Sequence, residues 1–253
     1  MGIPYSIYKK KKFTFPELKI YQENISINGE HYSGKTKFAI ECVLKPLLKT
    51  KKVKVWMWDV HGLGAKSGYF EPNQIVYYLD ELSEGTQCYV PEDKGKKNFD
   101  EFCGLCVEQY NLHVVLDELH NQFSAQSMLP NLSKLIRDVA SNRGVTYTAI
   151  WQRVSEGHKA AMSNARHKFL FKYDIADQDR YLRIFGKEAD LFMKPEDRKY
   201  FSDCKICKKS YKECAKTANG SHFFEPYYPI LDQYSFLYKD DKLMKSEVFN
   251  GGF

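Results

Sequence analysis

The stretch Gly29-Glu30-His31-Tyr32-Ser33-Gly34-Lys35-Thr36 restricts what this chain can fold into more than any other part of it. It reads G-x-x-x-x-G-K-[ST], the phosphate-binding loop. Glycines at both ends let the backbone curl so that successive N–H groups, including those of Ser33 and Gly34, face a phosphate, and the following helix N-terminus adds positive dipole. Lys35 then reaches the β- and γ-phosphates and Thr36 holds Mg²⁺. The flanks agree with the motif. Ile25 and Ile27 alternate as in a strand, and residues 38–44 are apolar at helical spacing. Strand, loop and helix in this order predict an α/β fold that binds a nucleotide.

A second stretch complements the first. Leu112-His113-Val114-Val115-Leu116 reads as a buried strand ending in Asp117-Glu118. At such a site Asp117 holds the Mg²⁺ shell through water, and Glu118 polarises the attacking water. Strands ending in acids are common, and the signal becomes specific only beside a complete phosphate loop. Residues 145–151 form another strand, ending in Gln152-Arg153, and Gln152 at that tip can hydrogen-bond a γ-phosphate or its attacking water. Residues 53–58 make a core strand ending in Asp59, His61 reads as a loop histidine, and His120 and Asn121 carry no assigned role. Pattern further predicts helices over residues 73–81, 99–110 and 179–198, and one beginning at 129 and closing near Asn142-Arg143-Gly144, with a short strand at 87–90. On the helix at 99–110, Cys103 and Cys106 read as small core residues. Residues 239–253 read as a solvated tail.

Composition adds bounds. At 253 residues the chain suits one α/β domain with a small appendage, divided as a basic arm (1–19), a core (20–175) and a C-terminal part (176–253). A formal net charge of +6 fits a polyanion partner without demanding one. Seven cysteines, an odd number, behind no apolar leader point to reduced thiols and a protein that is not secreted. No apolar run is long enough to span a bilayer. Met1-Gly2 formally fits a myristoylation pattern, but a flexible arm whose lysines at 9–12 touch phosphates is the plainer reading. Cys204, Cys207, Cys214 and His222 offer what a tetrahedral Zn²⁺ site requires. Free thiols, or a four-thiolate site joining both C-x-x-C pairs, are the alternatives. The tyrosines of Pro226-Tyr227-Tyr228-Pro229 read as core packing before base stacking.

The order of these motifs, with the phosphate loop, the Asp59 strand, the Asp117-Glu118 strand, a helix ending in Arg143-Gly144 and a strand ending in Gln152-Arg153, resembles the FtsK/HerA group of P-loop DNA motors. It is most similar to the compact viral genome-packaging ATPases, over residues 25–173. The resemblance implies a RecA-like P-loop fold with a mainly parallel sheet, and ATP with Mg²⁺ as cofactors. It implies a homo-oligomeric ring that drives double-stranded DNA into a capsid, in the host cytoplasm or a viral factory and in contact with capsid vertex proteins. It also implies Gln152 as γ-phosphate sensor and Arg143 as the arginine finger for a neighbouring subunit, with Arg153 and Arg166 as runners-up. Membrane helices, a winged-helix tail and an extended N-terminal domain are not seen in the sequence, which favours packaging over chromosome segregation or conjugation. A helicase, a virion-extrusion ATPase and a non-motor ATP-dependent switch are the competing classes.

Overall fold

A computed structural model describes residues 13, 23–122, 127–137, 142–152, 159–193 and 235–249 of the protein. The basic arm with Gly2 and the lysines at 9–12, Arg153, the set Cys204, Cys207, Cys214 and His222, and the tyrosines at 227 and 228 lie outside the described residues.

Among the described residues nine strands form one sheet: β1 (Ile25–Asn28), β2 (Lys54–Trp58), β3 (Ile75–Val76), β4 (Gln87–Tyr89), β5 (Leu112–Leu116), β6 (Thr146–Trp151), β7 (His167–Leu170), β8 (Phe236–Asp240) and β9 (Lys245–Phe249). Their order is β3-β4-β2-β5-β6-β1-β7-β8-β9. Every pair from β3 through β7 is parallel, and β7-β8 and β8-β9 are antiparallel. The central strands are near-continuous apolar and β-branched runs because helices cover both of their faces. The helices are α1 (Lys35–Phe38), α2 (Lys45–Thr50), α3 (Leu63–Lys66), α4 (Lys96–Glu108), α5 (Pro130–Arg137), α6 (Lys159–Ser163) and α7 (Gln178–Phe185). A π-helical turn, Ala39–Leu44, joins α1 to α2. Pro46 lacks the N–H that would bond Cys42, and the widened turn lies just before that missing donor.

Alternation along the strands sorts the core into two layers. On one face Val55, Met57, Ile25, Ile27 and Val115 pack against Phe38, Val43, Leu44 and Leu47 of the segment that follows the phosphate loop. On the other, Trp56, Trp58, Val114 and Leu116 pack against Phe99, Phe102, Cys103 and Cys106 of α4 and Leu132, Leu135 and Ile136 of α5. The two cysteines are buried, free core residues. His113, also fully buried, sets Nδ1 2.8 Å from Thr146 Oγ1 and Nε2 2.8 Å from Thr148 Oγ1. Burial lowers its pKa to about 3, so it is a neutral clamp between β5 and β6.

Three local expectations fail. Residues 73–81 are not a helix: a 3-10 turn (Pro72–Gln74) leads into β3, which pairs with β4, and a second 3-10 turn (Leu79–Glu81) follows. The Glu81 carboxylate accepts the N–H groups of Tyr77 (2.8 Å) and Tyr78 (3.1 Å), so those donors leave any helical ladder. The helix expected over 179–198 ends at Phe185, where Gly186 takes φ 83°, and a 3-10 segment (Lys187–Phe192) replaces the rest that is described. Of the supposed tail, the described residues 239–249 belong to the β8–β9 hairpin. Phe236, Tyr238 and Phe249 join Phe13, Phe38 and Phe169 in an aromatic cluster, and Arg166 grips Asp240 with two hydrogen bonds of 3.0 and 2.9 Å. The sheet therefore runs past the boundary expected at residue 176.

For the site, one feature of the topology matters most. β6 lies between β1 and β5, with Asn28 in register with Trp151 and Leu116 with Ala149. The phosphate loop, Gln152 and Asp117-Glu118 consequently leave the sheet at the same edge, the carboxyl end where open α/β sheets hold ligands.

Candidate active site

β1 delivers Gly29 at φ 147°, and a Cβ there would stand 2.7 Å from Phe171 Cβ and 3.0 Å from Lys172 O, so only glycine fits this close approach. The loop then curls through Tyr32 (φ 58°, exposed) and Gly34 (φ 96°) into α1, where Phe38 N donates to Gly34 O at 2.9 Å. Ser33 Oγ donates to Glu30 O at 2.8 Å, fixing the turn from inside. Lys35 lies beneath the loop, 6% exposed, and its Nζ donates to Glu30 O at 2.6 Å. Burial lowers its pKa to about 8, with the nearby Glu118 and Asp117 charges acting in the opposite direction. It remains an ammonium at neutral pH, held close to the loop that would surround a phosphate.

Asp117 follows β5 and is fully buried, with its N–H donated to Trp58 O at 3.3 Å. Its Oδ1 accepts Thr36 Oγ1 at 3.4 Å and Glu118 N at 3.1 Å, whereas Oδ2 is buried with no hydrogen-bond partner. Burial first, then the Glu118 and Asp59 charges, raise its pKa to about 6. A buried carboxylate oxygen without a donor, beside a threonine hydroxyl, fits a hard cation such as Mg²⁺, which takes one or two protein ligands and fills its remaining positions with water and phosphate.

Glu118 adopts φ 54°, a left-handed turn that folds its carboxylate back over the strand ends. Gln152 Nε2, at the tip of β6, donates to it at 2.8 Å (Oε1) and 2.6 Å (Oε2). His120 Nε2 stands 3.2 Å from Oε2, His61 Nε2 3.6 Å from Oε1, and Asn121 Nδ2 donates to Oε2 at 3.3 Å. Neither histidine had a predicted place here. The only signal was position: each lies within three residues of a strand-terminal acid on adjacent strands β2 and β5.

Other charged candidates are occupied structurally. Asp59 caps α3, accepting Leu63 N and Ala65 N at 2.9 Å each. Arg143 precedes β6 at the amino end of the sheet, opposite the phosphate loop; its Nη1 donates to Val107 O at 3.0 Å and its guanidinium lies 5.2 Å from the Tyr110 ring centre. Arg166 precedes β7 at that same end and is bound by Glu23 and Asp240. Lys35, Thr36, Asp117, Glu118 and Gln152 thus converge, while Arg143 and Arg166 stand apart from them. Among the described residues no group of three or more His, Cys, Asp or Glu side chains is placed to hold a metal ion, and no helix is long and apolar enough to cross a membrane.

No protein-family model matches the chain, and no curated protein matches it. Solved structures do. The genome packaging NTPase B204 from Sulfolobus turreted icosahedral virus 2 in complex with AMPPCP superposes with a TM-score of 0.61 at 16% identity, covering 92% of this chain and 99% of that one. Its complex with ATP-gammaS gives 0.61 at 15%, covering 91% and 98%. The DNA-packaging ATPase B204 from Sulfolobus Turreted Icosahedral Virus gives 0.58 at 16%, covering 92% and 98%. The chain therefore has the P-loop NTPase fold, a mainly parallel nine-stranded sheet between helical layers, and shares it with these packaging NTPases.

Proposed function

We propose that this protein is an ATPase that translocates double-stranded DNA, packaging a viral genome into a capsid as a homo-oligomeric ring. The observation that carries the reading is the convergence of Lys35, Thr36, Asp117, Glu118 and Gln152 on one sheet edge. The fold shared with packaging NTPases over nearly their whole length supports it.

In this mechanism the loop N–H groups and Lys35 bind the β- and γ-phosphates, and Thr36 and Asp117 hold Mg²⁺. When bound, the metal neutralises charge on the phosphate oxygens. Glu118 accepts a proton from the attacking water, and Gln152 donates to the terminal phosphate. Arg143, at the opposite end of the sheet from its own phosphate loop, is assigned to a neighbour's site across a ring interface. DNA is gripped at backbone phosphates without base readout. Contact with capsid vertex proteins, a place in the host cytoplasm or viral factory, and a Zn²⁺ site at Cys204, Cys207, Cys214 and His222 belong to the same proposal.

The test is ATPase activity with and without duplex DNA, for wild type and Glu118→Gln. Wild type is expected to hydrolyse ATP faster with DNA. The variant is expected to bind nucleotide yet lose turnover by about two to four orders of magnitude, since the phosphate cradle is untouched. Retained turnover would reject Glu118 as the base, and a rate indifferent to DNA would reject the motor.

A further inference from the structure

The carboxylate that should activate water is already engaged on both oxygens by one amide, Gln152 Nε2, at 2.8 and 2.6 Å. Gln152 is 8% exposed at the tip of a strand clamped between β1 and β5, so it has little room beyond the space shared by the loop and Glu118. A base whose lone pairs accept a short bond from an amide is poorly disposed to receive a proton from water. The same Nε2 is the group that, in the proposed mechanism, donates to the terminal phosphate.

Resting on that reading, we propose that Gln152 is a latch: in the nucleotide-free protein it stores Glu118, and it releases the carboxylate when the terminal phosphate takes over its amide. His120 is the positioning residue that keeps Glu118 aimed after the handover. The left-handed turn at Glu118 starts a 3-10 turn (Leu119–Asn121) that returns the His120 ring, with a side chain only 10% exposed, to Oε2 of the same carboxylate. His61 stands at the other oxygen from the β2 side, 52% exposed, and Asn121 completes the surround. A phosphate oxygen is a strong charged acceptor and can compete with a carboxylate for one amide. A diphosphate ends short of it. The latch therefore couples the triphosphate state to the freedom of the base, and ATP binding carries the work of opening it.

A double-mutant cycle on nucleotide affinity tests this, using ADP and a non-hydrolysable ATP analogue with wild type, Glu118→Ala, Gln152→Leu and the double variant. Removing the carboxylate also removes a negative charge near the phosphates, and the cycle separates the two effects. Glu118→Ala should tighten analogue binding about tenfold where Gln152 is present, about threefold or less in the Gln152→Leu background, and ADP binding by under about twofold in both. Equal tightening in both backgrounds is the charge effect alone and overturns the latch. A wild-type protein that binds neither nucleotide overturns instead the function on which the latch rests. Should Gln152→Leu not fold, Gln152→Met takes its place in the same cycle. For His120, the Ala variant should lose about tenfold or more in kcat with KM unchanged, and His120→Asn should recover part of it by supplying a donor. Equal kcat for Ala, Asn and wild type overturns the positioning role.

Discussion

Replacing Lys35 by methionine should make the nucleotide-free protein more stable while abolishing its nucleotide affinity. The ammonium is nearly buried, and burial lowers its pKa from 10.5 to about 8, a figure that already contains the attraction of Glu118 and Asp117. At about 1.36 kcal/mol per pH unit, keeping that charge in the folded chain at neutral pH costs about 3 kcal/mol relative to the unfolded chain. The sign follows from the proton count. Between pH 8 and 10.5 the unfolded chain binds the extra proton, so wild-type stability rises with pH in that window and is level with respect to this group below it. Methionine preserves most of the packed stem, removes the charge, and loses the hydrogen bond to Glu30 O, worth about 1.5–3 kcal/mol for a charged donor. The net gain is about 0.5–2 kcal/mol, or a Tm rise of about 1–8 °C for a chain of this size. Calorimetry at pH 7 without nucleotide measures it, and the same scans at pH 9–10 should show the gap closing as wild type loses its buried charge. A Tm below wild type at pH 7 would refute the view that this lysine is held at a cost to folding.

Three further outcomes follow from named contacts. Nucleotide affinity should be level between about pH 7 and 8 and fall about tenfold per pH unit above that, because Lys35 must then regain a proton to meet phosphate; affinity unchanged from pH 7 to 9.5 contradicts this. Gly29→Ala should cost about 2–4 kcal/mol in urea unfolding, since the new methyl meets Phe171 Cβ at 2.7 Å on a backbone with φ 147°; an unaltered midpoint would deny the close approach. Arg143→Ala protein should lose DNA-stimulated turnover and recover part of it when mixed with Glu118→Gln protein, because some interfaces then pair an intact arginine with an intact glutamate. Full turnover by Arg143→Ala alone would remove that residue as the finger.

How far the sequence revealed this site depended on whether the signal was local. The phosphate loop and Asp117-Glu118 were legible because their chemistry needs contiguous residues, and the β-branched runs before them could only be buried strands. The β8–β9 hairpin was not, because the polar run around Lys239, Asp240 and Asp241 reads as solvent-facing until Arg166 and Lys168, some seventy residues upstream, are seen to pair with it. Residues 73–81 failed for a different reason. Ile75, Val76, Leu79 and Leu82 satisfy helical spacing, yet two adjacent β-branched residues beside an open sheet edge gain more by pairing with β4. Gln152 could be placed at a strand tip from the sequence but not beside Glu118, since that contact exists only because β6 inserts between β1 and β5.

Like residues elsewhere in the fold are matched differently from those around Lys35 and Asp117. Asp59 and Asp240 are as buried as Asp117, but one caps α3 with two N–H bonds and the other is gripped by Arg166. His113 is buried with both nitrogens bonded to threonines. At the phosphate loop and the tip of β5 the pattern inverts. Asp117 keeps a bare Oδ2, Lys35 holds a charge against burial, and Tyr32 and Glu118 occupy left-handed backbone that disfavours side chains. Unmet demands of both signs within one small region suit a ligand carrying both signs. A nucleoside triphosphate with its magnesium would bring phosphate oxygens to Lys35 and a cation to Asp117, so binding would offset in one step the costs that folding leaves in place.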